Sequence, residues 1–197
     1  MSGFSDFASR MRGPIFSAAS ILGLAATSLP VLGFDTLAAP IAAAGTLQPA
    51  FAPHDDIESL LIETINSAKT QILMQAYLLT SKKISLALIA AHDRGVDVRV
   101  LADASQSRID SSKVGSLAAA GIPVWLETKY LNAHNKVIVL DAERAEATVV
   151  TGSFNFTWGA QHKNAENVLV ARNNPVLAMR YAVNWEQHRQ EATRYAP

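Results

Sequence analysis

His134-Asn135-Lys136-Val137-Ile138-Val139-Leu140-Asp141, followed by Thr148-Val149-Val150-Thr151-Gly152-Ser153-Phe154-Asn155, is the part of the sequence on which the reading of the fold turns. Two β-branched runs separated by the charged segment DAERAEA predict a hairpin. Side chains two apart on a strand share a face, so His134 and Lys136 are expected to point together. Ser153 and Asn155 repeat the device on the next strand or just past its end. Burying an unpartnered ammonium is costly, which disfavours Lys136 as core and makes an anion its expected companion. Gly152 lets the backbone come close to a ligand, and Ser153 and Asn155 bring neutral hydrogen-bond donors. A phosphodiester wants this set: a positive charge, donors for its non-bridging oxygens, and a nucleophile titrating near neutrality, as imidazole does at about 6.5 unperturbed.

Upstream, strands and helices alternate. Asp55 or Asp56 caps a helix with Ile57, Leu60, Leu61, Ile65 and Ala68 inward, and Thr70 to Leu79 reads as a strand. Ser81 caps a second helix that Gly95 ends, and Val96 to Ala102 alternates as a strand. Asp110 to Ala120 gives a third helix closed by Gly121, then a short strand from Ile122 to Leu126. Downstream, Asn167 to Ala171 is a further strand, and Pro175 opens a closing helix that runs to about Glu191 and buries Leu177, Ala178, Tyr181 and Trp185. Parallel strands in the first half and a hairpin in the second make an α/β fold, one domain with a mixed β-sheet flanked by helices on both faces.

The 197 residues are enough for one such domain, and 49% hydrophobic against 17% charged residues excludes a disordered chain. Seventeen basic and 17 acidic residues give no net field to attract a polyanion, so any nucleic-acid binding must be local. The absence of Cys excludes disulfides, thiolate catalysis and Cys-bound zinc. Arg10 and Arg12 precede a charge-free apolar run from Pro14 to Phe34, which reads as a signal peptide over residues 1–44 with cleavage after Ala44 or Ala39. An uncleaved membrane anchor is the alternative. On the signal-peptide reading the domain, residues 54–197, is expected to be exported, periplasmic or secreted, after a linker at 45–53, GTLQPAFAP; on the alternative it is membrane-anchored by the N-terminal segment.

His134, Lys136, Asp141, Gly152, Ser153 and Asn155 fall on the H-x-K-x4-D … G-S-x-N signature, and the chain thereby resembles the phospholipase D superfamily. TGSFNFT and KNAENVLV resemble its small bacterial endonuclease branch. The resemblance implies that His134 attacks phosphorus to form a phosphohistidine without metal or other cofactor. Lys136, Ser153 and Asn155 would hold the phosphate oxygens, Glu166 would accept a hydrogen bond from the other ring nitrogen of His134, and Asp141 would be structural. Ten residues, Ala142 to Thr151, separate the Asp from the Gly-Ser pair, four more than the family pattern. An even insertion in a hairpin still returns the same face to the site.

Protonating the leaving alkoxide takes a second proton-transfer group, and the chain carries a single motif. A homodimer with His134 of both subunits flanking one phosphorus is therefore expected, as in single-motif relatives. The leading expectation is a nonspecific endonuclease acting on DNA or RNA; the alternatives are a phospholipid head-group esterase and a non-catalytic binding protein. Trp158, His162 and Lys163, in the segment between Asn155 and Glu166, are candidate substrate contacts. Tyr77, Asp103 and Lys129 are weaker candidates to line the cleft. His54, His92 and His188 lack ligand spacing and read as surface or cap residues, Lys82, Lys83 and Arg94 as solvated face, and Phe154 and Phe156 as core.

Overall fold

A computed structural model describes residues 38–196, so the apolar run and basic residues of the predicted leader lie outside the described part. The elements in chain order are β1 (Thr46–Ala52), α1 (Ile57–Ser67), β2 (Gln71–Ala76), α2 (Lys82–Asp93), β3 (Asp97–Asp103), α3 (Val114–Ala119), β4 (Val124–Glu127), β5 (Lys136–Leu140), β6 (Thr148–Gly152), α4 (Trp158–His162), β7 (Glu166–Arg172), α5 (Pro175–Glu191) and β8 (Thr193–Arg194). All eight strands join one sheet in the order β1-β7-β6-β5-β2-β3-β4-β8. Strands β2, β3 and β4 are parallel, as the alternation predicted, and the β5-β6-β7 side is antiparallel.

Helices cover both faces. Ile57, Leu61 and Ile65 of α1, Ile84 and Leu88 of α2 and Leu117 of α3 pack on Met74, Val100, Ile138 and Val150. On the other face Ala178 and Trp185 of α5 meet Leu73, Leu101, Val139 and Val149. The Trp185 indole N–H donates to the Met74 carbonyl at 2.9 Å, so the polar handle of a buried ring is satisfied. Capping follows the sequence: Asp56 accepts from the Ser59 N–H and Ser81 from that of Ile84. Gly95 and Gly121 both sit at φ +88, the left-handed value a helix end favours in glycine.

Three boundaries differ from expectation. Residues 45–53 are not a linker: Thr46–Ala52 is edge strand β1, paired antiparallel with β7. Pro49 disguised it, yet an edge strand tolerates proline because one row of its N–H groups needs no partner. Its inward side chains are only Ala50 and Ala52, whereas Leu47 and Phe51 are exposed, so no hydrophobic alternation marks the strand. The third helix is shorter than Asp110 to Ala120: it starts only at Val114, and residues 110–113 are loop, following a separate turn of 3₁₀ helix at Gln106–Arg108. Trp158–His162, read as loop, is a helical turn capped by the Thr157 hydroxyl.

Candidate active site

The β5–β6 hairpin pairs Val137 with Thr151 and Leu140 with Thr148, which leaves 141–147 as its loop. The extra residues are absorbed there, and Lys136 and Ile138 keep a common face with Val150, as the even count predicted. Asp141 opens the loop at φ +51, an uncommon conformation for a side chain other than glycine. Its carboxylate accepts from the backbone N–H groups of Lys69, Thr70 and Gln71 and from the Thr70 hydroxyl, at 2.7–2.9 Å. Burial pushes the Asp141 carboxyl up, but these bonds outweigh it and hold it below 3.8. Because the folded value is the lower one, the stabilisation is full above the unfolded pKa and is lost as pH falls through the folded one. Asp141→Ala orphans three backbone donors and is expected to destabilise the fold by about 3 kcal/mol. Urea unfolding at pH 7 checks this: an unmoved midpoint would exclude a structural role.

His134 lies two residues ahead of β5, in the segment entering the strand rather than on it, and is exposed. Lys136, 6% exposed, turns back so that its Nζ sits 2.9 Å from His134 Nδ1 and donates to the His134 carbonyl at 2.7 Å. Burial lowers the Lys136 pKa, with the Glu166 carboxylate pulling the other way. Tyr77, just beyond β2, packs its ring 4.3 Å from the imidazole and lies 4.9 Å beneath the Lys136 ammonium. That cation–π contact gives the half-stripped charge a partner. Tyr77 thus belongs to the site more firmly than its position in the sequence suggested.

Glu166 does not bond His134 within the chain, which corrects the expected pairing. Its two oxygens accept from the Ser153 hydroxyl at 2.6 Å and the Asn164 amide at 2.8 Å. Ser153 also accepts from the Asn167 N–H, so its hydroxyl is already engaged. Asn155 is half-buried with Oδ1 unpartnered, a state that costs about 1–3 kcal/mol and therefore asks for a reason. Gly152 answers a different need from the one expected. A Cβ there would stand 2.2 Å from the Asn167 carbonyl, so the glycine admits the neighbouring strand β7 rather than a ligand.

Asp103, buried at the end of β3, holds loops instead of lining the cleft. One oxygen accepts from the N–H groups of Ser105 and Gln106 and the Ser105 hydroxyl, and the other from the Ala133 N–H at 2.9 Å, next to His134. Lys129 is tied to Glu191, and Lys83 to the buried Glu58, so neither is a free cation. His188 is no plain surface residue, since it pairs with buried Glu127 and stacks on Tyr130. Phe154 and Phe156 are core, as read. Trp158, His162 and Lys163 cluster on α4 and its end. Among the described residues no three His, Cys, Asp or Glu side chains are grouped to hold a metal ion.

A family model described as "cardiolipin synthase, PLD-like domain" matches residues 61–188. The chain belongs to the phospholipase D superfamily. Two similar proteins, both from Rickettsia, are named phospholipase D. The protein of R. prowazekii is 41% identical over 68% of this chain and 63% of its own length. That of R. typhi is 35% identical over 84% of this chain and 79% of its own. Among solved structures, Nuc from Salmonella typhimurium, a phospholipase D family member, superposes with a TM-score of 0.72 at 36% identity, covering 77% of this chain and 99% of Nuc. The mixed sheet between helix layers is therefore the superfamily's fold, and the chain spans less than two thirds of the length of the R. prowazekii relative.

Proposed function

We propose that the chain is a phosphodiesterase, an endonuclease cutting DNA or RNA through a phosphohistidine at the two-fold of a homodimer. The observation that carries the reading is the Lys136 ammonium 2.9 Å from the ring of His134, with the Asn155 amide just past the end of β6 and Ser153 beside it, whose hydroxyl turns from Glu166 to donate to a bound phosphate. While Lys136 donates to Nδ1, the ring proton sits on Nε2 and that nitrogen is no nucleophile. A bound phosphate draws the Lys136 protons to its own oxygens and frees Nδ1 to take the ring proton. Nε2 then attacks phosphorus, the P–N bond forms, and the bond to the leaving oxygen breaks. The leaving alkoxide takes a proton from the second subunit's His134, which afterwards deprotonates the water that splits the phosphohistidine. With Oδ1 of Asn155 buried, its NH₂ is the end of the amide left to meet a phosphate oxygen.

Nucleic acid is preferred on the resemblance of TGSFNFT and KNAENVLV to the endonuclease branch and on the match over nearly all of Nuc. The names of the Rickettsia relatives favour a second reading, a phospholipid head-group ester. Plasmid DNA and phosphatidylcholine vesicles, each in EDTA, separate the two: nicking is expected, and lipid turnover without nicking would reverse the choice. The dimer has its own signature. Co-assembled with an equal amount of His134→Ala chain, the wild type should show about a quarter of the activity of an all-wild-type sample, because both histidines must be present at one two-fold. A value near one half would mean independent subunits. We also place the domain outside the cytoplasm, on the leader over residues 1–44; an intact Met1 on the exported protein would mean that the leader is not removed.

A further inference from the structure

Helix α4 is bolted down on one side and open on the other. Ala160 is fully buried, and the Gln161 amide, also buried, accepts from the Glu58 N–H at 3.0 Å and donates to the Asp55 carbonyl at 2.9 Å. Trp158, by contrast, is 58% exposed. Its neighbours are polar: the His162 ring at 4.7 Å, and the Lys163 ammonium 5.3 Å over the indole. The fold derives little from an indole held in water, although its backbone is rigid. Trp158 follows Asn155 by three residues and Lys163 precedes Glu166 by three, so each lies within about 11 Å of chain from a phosphate-site residue. A reach bounded in this way admits a nucleotide next to the scissile phosphate.

We propose that Trp158, flanked by His162 and Lys163, is a stacking surface for a base beside the cut phosphodiester, and that it makes the enzyme prefer single-stranded or unpaired nucleic acid. The proposal rests on the nucleic-acid reading. A base inside a duplex is already stacked on its neighbours and must leave the helix to reach the indole, whereas an unpaired base meets it without that loss. Lys163 supplies the adjacent backbone contact. An indole beside a cation would also suit an anionic lipid surface, and the vesicle outcome below tells the two apart.

Cleavage of a single-stranded dodecamer, the same sequence as duplex, and bis(p-nitrophenyl) phosphate by wild type and Trp158→Ala tests this. The variant should raise KM for the single strand about tenfold, with kcat little changed and most of the preference over duplex gone. The change in KM for the chromogenic diester should be several times smaller. Trp158→Phe should restore most of the preference. In the His134→Ala background the oligonucleotide should quench tryptophan emission, since Trp185 is buried and Trp125 half-buried. An unchanged KM for the single strand, or lost vesicle binding with intact oligonucleotide cleavage, would overturn the stacking role. Wild type that hydrolyses the chromogenic diester and no oligonucleotide would instead remove the nucleic-acid reading on which it stands.

Discussion

Replacing His134 by Ala is expected to lower kcat on any phosphodiester by about 10⁴-fold or more, with no loss of fold. The size follows from chemistry: without the ring no P–N bond forms, and Lys136, Ser153 and Asn155 can polarise a phosphate but cannot displace its leaving group. Stability should hold because the ring is exposed, ahead of β5, with Tyr77 and Lys136 beside it, so its removal lies within the roughly 0.5 kcal/mol of an ordinary surface change. His162 is the control. It stands on α4 beside Trp158, so His162→Ala should leave kcat within about tenfold of wild type if its contact is with substrate flanks. Rapid quench with labelled substrate should trap labelled protein from wild type and none from His134→Ala. Turnover retained by His134→Ala, or label on His162, would dismiss the assignment.

How much of this was legible beforehand depends on the kind of signal each residue gives. Spacing along one strand is local, so the convergence of His134 with Lys136, and the even excess absorbed at 141–147, could be read from the sequence. The caps Asp56 and Ser81 and the glycines 95 and 121 are local too, and they set the helix ends. What failed depended on partners far along the chain. Strand β1 is a strand only because β7 lies beside it, and with Ala50 and Ala52 inward it carries too little apolar pattern to announce itself. Gly152 is small for the sake of the Asn167 carbonyl, a relation between strands that no single stretch encodes. Tyr77 is only a weak candidate in the sequence, which gives its place at the end of β2 but not the imidazole packed on its ring. Glu166 shows the limit most clearly: its residue type suits a partner for histidine, yet its nearest donors in the fold are Ser153 and Asn164.

Lys136→Met should separate function from stability. Its kcat is expected to fall by about 10²–10³-fold, the usual loss when one charge facing a developing oxyanion is removed. Its stability at pH 7 should be equal or higher, by up to about 1 kcal/mol, because a Met of similar volume needs no solvation where the ammonium bonds only the imidazole and a carbonyl, over the Tyr77 ring, and the Glu166 attraction does not offset its burial. The pH dependence has a definite sign. Burial lowers the folded pKa of Lys136 below 10.5, so between the two values the unfolded chain binds more protons and wild-type stability rises with pH, a slope the Met variant lacks. For the same reason the alkaline limb of wild-type kcat/KM should descend at a pH below the ordinary lysine range. Lys136→Arg, whose guanidinium stays charged, should lose that limb while keeping part of the activity. If Lys136→Met were instead less stable than wild type and retained its turnover, the ammonium would be serving the fold and not the phosphate.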